Sequence, residues 1–272
     1  MSTAPADDVS HFTQELGFRL DALTPVSQGR ATLTPELCVP GTGVPRASVL
    51  LTFADIACGI ASARHVAPRI VVTVDLVVRL LEVPGQGPIE VESQLLKAGR
   101  TLQVAESRYA ERGASRPFAT AVATFSASPR PTDVLDAPPP AEHLGRGTAH
   151  PTLPVPLAER VGVQVVEPGR AEIEHRAEHS NSTSTLQGGL VALVGEVAAE
   201  TLAEAELGAI APAHELDVRY LRGARVGPAV ARAELLHRDD SSATMRVEVR
   251  DAGADDRLVA LVSARCMTDG SA

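Results

Sequence analysis

The feature that most constrains the fold is an internal repeat. The segment DLVVRLLEVPGQGPIEVESQLL, which begins at Asp75, aligns with ELDVRYLRGARVGPAVARAELL, which begins at Glu215, and eight of the 22 positions are identical. A second match, GRATL from Gly29 on GRAEI from Gly169, has the same offset of 140 residues. Collinear matches in one order indicate a duplication. The sequence therefore predicts two similar units in one chain.

A proline-rich segment separates the two units. It reads SPRPTDVLDAPPPAEHLGRGTAHPTLPVP, covers 128–156 and contains few large apolar residues. Such a composition favours an extended linker. We therefore predict an N-terminal domain at 1–127, a linker at 128–156 and a C-terminal domain at 157–272. The length of 272 residues suffices for two ordinary domains, and the 44% of apolar residues can supply their cores.

Both units show the same order of predicted elements. A strand-like stretch (16–36; 162–178), with a turn at Gln28-Gly29 or Pro168-Gly169, precedes a helix-period segment (47–64; 188–206). Alternating, β-branched stretches follow, at 69–80, 88–97, 102–111 and 117–126 in the first unit and at 214–222, 228–237, 243–251 and 257–266 in the second. One helix cannot cover both faces of a sheet. The sequence therefore predicts an α+β fold in which each half is a curved antiparallel sheet wrapped around a central helix.

Each predicted helix carries an acid among small residues. Asp55 lies about 130° from the apolar stripe of its helix, next to Cys58 and Ser62. Glu196 has the same angular position in the second helix, beside alanines. A solvated helix face would explain both acids, but their shared register in two diverged units favours a function. Glu200 and Glu204 are interpreted as ordinary surface acids.

The pattern around these acids resembles the hotdog-fold acyl-CoA thioesterases, particularly the PaaI-like and 4-hydroxybenzoyl-CoA group. Their motif has Asn or Gln six positions before His-Gly-Gly and an acid nine positions after the His. Here Asn181, Gln187-Gly188-Gly189 and Glu196 have this spacing. The first unit keeps FADIACG around Asp55, but Arg46-Ala47-Ser48 and Pro40 replace the other motif positions. The resemblance implies a double hotdog and thioester hydrolysis.

The length of the helix separates the glycines from the acid in this motif. Gly188 and Glu196 are about 12 Å apart along a helix, whereas a base must lie within about 3 Å of its target. The resemblance implies antiparallel helices with sites shared between units. We therefore expect a site with Asp55, the Gly188 N–H as oxyanion donor, Asn181 orienting water or the carbonyl, and Gln187 fixing the loop or the thioester.

The opposite site would pair Glu196 with Arg46 and Ala47, and we expect it to be degenerate or changed in substrate. Coenzyme A is expected only as part of the substrate, with no separate cofactor and no metal. Its phosphates need basic residues, for which Arg100 and Lys97 are the first candidates and Arg219 and Arg222 the second.

Two alternatives stay open at this point. One is a TesB-like acyl-CoA thioesterase that uses Asp75 or Glu215 on the strand after the helix. The other is a non-catalytic acyl-CoA binding protein, because the motif lacks its His and is divided between the units. A hotdog hydratase is disfavoured, since no Asp is followed by His at that family's spacing. Two Tyr, five Phe and no Trp favour an aliphatic acyl group over a stacked aromatic one.

Composition argues against several other classes of protein. A net charge of −9 and 3% aromatic residues disfavour a nucleic-acid surface. The three cysteines are far apart and odd in number, so we expect reduced core thiols. No apolar run reaches 18 residues, and the acidic start lacks a signal-peptide profile. We expect a cytoplasmic protein without membrane or nucleic-acid partners, which could associate into a homo-oligomer.

Overall fold

The computed structural model describes residues 12–23, 26–128, 148–181 and 183–268. In the first half the strands are β1 Arg19–Leu23, β2 Val26–Leu33, β3 Val71–Leu80, β4 Gly87–Ala98, β5 Leu102–Glu111 and β6 Ala119–Ala127. In the second half they are β7 Gln164–Glu167, β8 Arg170–Ile173, β9 Ala213–Tyr220, β10 Ala229–Arg238, β11 Ser242–Asp251 and β12 Arg257–Met267. The helices are α1 Phe12–Glu15, α2 Ala47–Val66, α3 Leu157–Arg160 and α4 Gly188–Leu207.

The strands of both halves form one antiparallel sheet. Its order is β1-β2-β4-β5-β6-β3-β9-β12-β11-β10-β8-β7, so the two halves repeat one topology in mirrored sequence and meet where β3 pairs with β9. In that pairing Asp75 lies opposite Arg219, and Arg79 lies opposite Glu215. This is the predicted double hotdog, with one central helix per half.

The two long helices supply most of the core. Leu50, Leu51 and Phe53 of α2 are fully buried, and burying one such side chain stabilises the fold by about 1.5–3 kcal/mol. The Tyr109 hydroxyl of β5 donates to the Leu50 carbonyl at 2.6 Å, which fixes α2 against its sheet. Although α2 is long and apolar enough to cross a membrane, 67% of its most apolar window is buried inside the protein. Its apolarity is therefore explained by its position in the core.

The predicted element boundaries agree with the structure to within a few residues, with one exception. The predicted turn at Pro168-Gly169 is confirmed between β7 and β8. The predicted turn at Gln28-Gly29 is wrong, because both residues lie inside β2 and pair with β1. A Cβ at Gly29 would lie 2.6 Å from Cζ of Phe18. This glycine therefore admits an aromatic ring and does not mark a turn.

The predicted linker falls partly outside the described residues, at 129–147. Its described end packs on the first half. The Thr152 N–H donates to the Glu15 carbonyl at 2.9 Å, and the Thr32 hydroxyl donates to the Ala149 carbonyl at 2.6 Å. The domain boundaries at 127 and 157 stay a prediction. Cys38, Cys58 and Cys266 are buried free thiols, as expected.

Candidate active site at the paired helices

The two long helices lie side by side and antiparallel. The start of α2, at Ala47, contacts Glu196 in the middle of α4, and the start of α4, at Gly189, packs on Thr52 of α2. The repeat relates Ala47 to Gly188 and Glu196 to Asp55. Each helix start therefore lies near the acid of the other half, as the helix length requires. The chain has two pseudo-equivalent sites, and they differ in detail.

Glu196 fills the first of these sites with its own carboxylate. Oε1 accepts from the Ala47 N–H at 2.7 Å, and Oε2 accepts from the Ser48 hydroxyl at 2.5 Å and the Ser48 N–H at 3.4 Å. The side chain is 0% exposed. Burial and the nearby Glu200 raise the pKa of Glu196 to about 7, against the opposing effects of Arg46 and these hydrogen bonds. A helix N-terminus attracts an anion, and here the anion is a side chain of the protein itself.

Arg46 completes this buried cluster. Its Nη1 lies 2.8 Å from Glu200 and 3.8 Å from Glu196. Glu200 is 8% exposed and also accepts from the Ala213 N–H at 3.2 Å. The interpretation of Glu200 as an ordinary surface acid is therefore wrong, because an arginine from the other half neutralises it in the interior.

The second site, at the start of α4, leaves donors free. Gln187 is the N-cap, and its Oε1 accepts from the Gly189 N–H at 2.5 Å. Within the described part of the chain, neither the Gly188 N–H nor the Gln187 amide N–H group donates a recorded hydrogen bond. Gly188 is partly exposed. Two donors at the positive end of α4 are thus available to a ligand.

The two adjacent glycines at the start of α4 make room for different neighbours. A side chain at Gly189 would overlap the Thr52 hydroxyl, so this glycine lets the two helices approach closely. A Cβ at Gly188 would lie 3.3 Å from the Tyr220 hydroxyl, so this glycine lets the Tyr220 ring pack closely against the start of α4. Gly189 thus permits close packing between the two helices, and Gly188 permits close packing between α4 and Tyr220.

Asp55 is the acid of the second site, and it is partly exposed. The Thr73 hydroxyl donates to its Oδ1 at 2.7 Å. Burial raises the pKa of Asp55 above its ordinary value, and the bond from Thr73 opposes that shift. The raised pKa makes this carboxylate a stronger base than that of an exposed aspartate.

Tyr220 lies between Asp55 and the start of α4. Its hydroxyl donates to the Gly188 carbonyl at 2.9 Å. Burial, and then the charge of Asp55, raise the pKa of Tyr220 well above its ordinary value, so the phenol stays neutral. Sequence reasoning missed Tyr220 and Thr73. The available signal was that both lie on strands pairing at the centre of the sheet, in VTVDL and LDVRY.

Asn181 does not join these contacts between Asp55, Tyr220 and the start of α4, because its hydrogen bonds stay within its own loop. Its Nδ2 donates to the Thr185 hydroxyl at 2.8 Å, and its Oδ1 accepts from the Thr183 N–H at 2.9 Å and the Thr185 N–H at 3.2 Å. The side chain thus closes its own loop. That loop leads into Gln187, whose N–H donates to the His179 carbonyl at 2.9 Å.

The remaining predicted residues lie farther out. Asp75 and Glu215 alternate with the buried Leu76 and Leu216, so they lie on the face of the sheet away from the helices. Arg79 pairs with Glu215 at 3.1 Å there.

The four predicted phosphate-binding residues fall into two places. Lys97 and Arg100 lie exposed at the β4–β5 hairpin, where Arg69 donates to the Arg100 carbonyl. Arg219 bonds to Asp217, and Arg222 donates to the Leu258 carbonyl at 3.3 Å.

The interior of the first half contains a short row of polar side chains behind Asp55. Cys58 Sγ lies 3.3 Å from the Ser107 hydroxyl, which lies 2.7 Å from the Ser93 hydroxyl. The repeat places aliphatic residues at the matching positions of the second half, namely Ala199, Val247 and Ala233. The two halves therefore share a fold but differ in the polarity of the side chains at these interior positions. No group of His, Cys, Asp or Glu that could hold a metal ion occurs among the residues that the structure describes.

Comparison with known families identifies the chain. The model of the Thioesterase superfamily matches residues 47–108 and 184–257, which together make up half of the sequence. The chain belongs to the thioesterase superfamily. The family match covers both long helices and most of the next three strands of each half, and it confirms the prediction of a thioester hydrolase at the level of the superfamily. No curated protein matches the sequence significantly.

Several solved structures share the fold of this chain. A 12:0-ACP thioesterase from Umbellularia californica has a TM-score of 0.62 at 10% identity, over 90% of this chain and 95% of that chain. A tesB protein from Mycobacterium avium subspecies paratuberculosis has a TM-score of 0.61 at 15% identity, over 95% and 99%. A conserved protein of unknown function with a hotdog fold from Alicyclobacillus acidocaldarius has a TM-score of 0.60 at 15% identity, over 97% and 100%. At these identities the likeness concerns the fold alone.

Proposed function

We propose that this thioesterase hydrolyses an acyl-CoA at the start of α4, in a site shared between the two halves. The observation that carries the proposal is the contrast between the two helix starts. At α2 the Ala47 and Ser48 N–H groups are taken by Glu196, whereas at α4 the Gly188 N–H is free and faces the half that carries Asp55. Only the second arrangement leaves an oxyanion donor and a reachable carboxylate together.

The chemistry assigned to this site is direct hydrolysis. Asp55 accepts a proton from a water molecule while the oxygen of that water attacks the thioester carbonyl carbon. The resulting oxyanion receives hydrogen bonds from the Gly188 N–H and the Gln187 amide. When the tetrahedral intermediate collapses, the carbon–sulfur bond breaks, and the thiolate of coenzyme A takes the proton from Asp55. The products are a free acid and coenzyme A, and Asp55 is ionised again.

Neighbouring groups would tune this reaction. The Thr73 hydroxyl holds one oxygen of Asp55, which leaves the other for water. The hydrogen bond from the Tyr220 hydroxyl to the Gly188 carbonyl holds the first peptide group of α4 in place. In this proposal Lys97 and Arg100 hold the phosphates of coenzyme A. Arg219 is a weaker candidate, because Asp217 already neutralises it.

The two alternatives make different predictions. A TesB-like role for Asp75 or Glu215 finds no support from their place on the outer face of the sheet. A non-catalytic binding protein would retain acyl-CoA but release no coenzyme A.

The test measures thiol release from acyl-CoA substrates of short, medium, long and aromatic acyl groups. We expect turnover with at least one class, its loss in Asp55→Asn and its near-complete retention in Glu196→Gln. The reverse order of the two variants would refute the assignment of Asp55. Binding without turnover for every substrate would instead establish the binding protein.

A further inference from the structure

A cavity of about 450 Å³ lies beside the start of α2, on the side of Glu196. Small-molecule sites in proteins have volumes of about 300–1,000 Å³. Four segments form its walls: the loop before α2, one face of α4, the segment from Pro156 to Val165, and Ile210-Ala211 after α4. The apolar lining residues include Val39, Val163, Val197, Ile210 and Ala211.

The repeat relates this cavity to the proposed active site. Arg46 corresponds to Gln187, and Val197 and Glu200 on the cavity wall correspond to Ile56 and Gly59, which lie within about one turn after Asp55. The cavity therefore occupies, around α2, the position that the acyl thioester would occupy around α4. Because Glu196 takes the Ala47 and Ser48 N–H groups, the walls of a substrate site persist here without its oxyanion donors.

Arg46 gives this cavity a polar inner end. The side chain is 5% exposed, and both of its recorded ion pairs use Nη1. Its Nε has no hydrogen-bond partner among the described residues. A buried donor of this kind is costly to leave unpaired, and a carbonyl oxygen would satisfy it after a small shift of the side chain.

The rim of the cavity selects against anions. Glu159 and Glu204 line it and are exposed, while the charge of Arg46 is already balanced by Glu200. Negative charges at an entrance disfavour a ligand that carries phosphates. The ligand that fits is a neutral molecule with an apolar chain and a carbonyl.

We propose that this cavity is a second, non-hydrolytic binding site for the acyl chain and thioester carbonyl of an acyl-pantetheine. The ligand class rests on the proposed function, because it is taken from the substrate of the pseudo-equivalent site. The chain then binds two acyl thioesters and hydrolyses one. The ligand of the second site is bound and released without being hydrolysed.

A titration with a stable analogue tests the proposal. The probe is a medium-length 2-oxoalkyl thioether of pantetheine, in which a methylene between carbonyl and sulfur prevents hydrolysis. Isothermal titration calorimetry should give two molecules per wild-type chain. The double variant Val165→Trp/Ile210→Trp narrows the cavity at two rim positions that are 52% and 45% exposed, so the fold should tolerate it. The matched control is Leu236→Trp, an equally exposed position outside the cavity.

The double variant should weaken the second binding event by about tenfold or more, leave the first unchanged, and keep kcat/KM for acyl-CoA at the wild-type value. The control should behave like the wild type. A wild-type stoichiometry of one, or two events that the double variant leaves equal, overturns the proposal. If the wild type hydrolyses no acyl-CoA but still shows two events, the proposed function fails and the second site stands.

Discussion

Replacement of Glu196 separates its structural role from a catalytic one. In Glu196→Ala the Ala47 N–H and the Ser48 hydroxyl lose their acceptors in a fully buried place. An unsatisfied buried donor costs about 1–3 kcal/mol, and loss of an N-cap costs about 1 kcal/mol. Arg46 keeps Glu200 at 2.8 Å, so no buried charge is left alone. The variant also avoids the cost of burying a carboxyl group, and this offsets part of the lost stability.

The net expectation for Glu196→Ala is a destabilisation of about 2–4 kcal/mol. In a protein of this size one kcal/mol corresponds to about 2–4 °C in Tm, so the expected fall is about 4–16 °C. Glu196→Gln keeps an acceptor for the Ala47 N–H and should lose about half as much. Thermal unfolding followed by circular dichroism at neutral pH measures both.

Glu204→Ala is the matched control, because this acid is exposed on the same helix. Its stability should change by no more than about 0.5 kcal/mol. The reasoning fails if Glu196→Gln unfolds at the wild-type temperature and yet loses turnover, since Glu196 would then act on substrate and not as a cap.

Three further predictions follow from the same contacts. The pKa of Glu196 is about 7 in the fold, against an ordinary value of 4.5, so the part of its stabilisation that depends on protonation is fully present below pH 4.5 and is lost as pH rises through about 7, while its hydrogen bonds to Ala47 and Ser48 still contribute at neutral pH. The stability advantage of the wild type over Glu196→Gln should therefore shrink by about 3 kcal/mol between pH 4 and pH 8 in urea unfolding, and an unchanged advantage would contradict the assignment. Because burial raises the pKa of Asp55, kcat/KM should fall with decreasing pH around a midpoint above that of an ordinary aspartate. Asp55→Asn should lower kcat/KM by about 10²-fold or more at pH values above that midpoint, and a midpoint at the ordinary value would argue against a buried base. Gly189→Ala should destabilise the chain by about 1–3 kcal/mol because its methyl overlaps Thr52, and Thr52→Gly in the same chain should recover part of that loss; no recovery would place the clash elsewhere.

The elements were predictable because each pattern occurs twice. The alternation of apolar residues and the helical spacing repeat at a fixed offset, so one half checks the other, and α2 and α4 begin where the sequence predicts. Gly29 misled the prediction because glycine marks both turns and close approaches. A neighbouring aromatic ring, Phe18, decides between these meanings, and that contact is visible only in the fold.

The pairing of acids and helix starts was also predictable, since it follows from the rise of a helix. That the two sites differ was also predicted, but the contacts that make them differ were not. Glu196 is one methylene longer than Asp55, and it reaches the N–H groups of the opposite helix, whereas Asp55 is held by Thr73. Glu200 was misread because its partner, Arg46, lies 154 positions away. Contacts at such separations depend on the packing of the two halves, which local patterns do not encode.

The joint between β3 and β9 has a consequence for how such a protein behaves in solution. When two separate subunits share a site, dilution separates them and the site disappears. Here the partners are covalently linked and hydrogen-bonded into one sheet, so every folded chain carries the complete arrangement at any concentration. Specific activity should then be independent of enzyme concentration. Each half is also encoded once, so a substitution alters one site and leaves its counterpart unchanged.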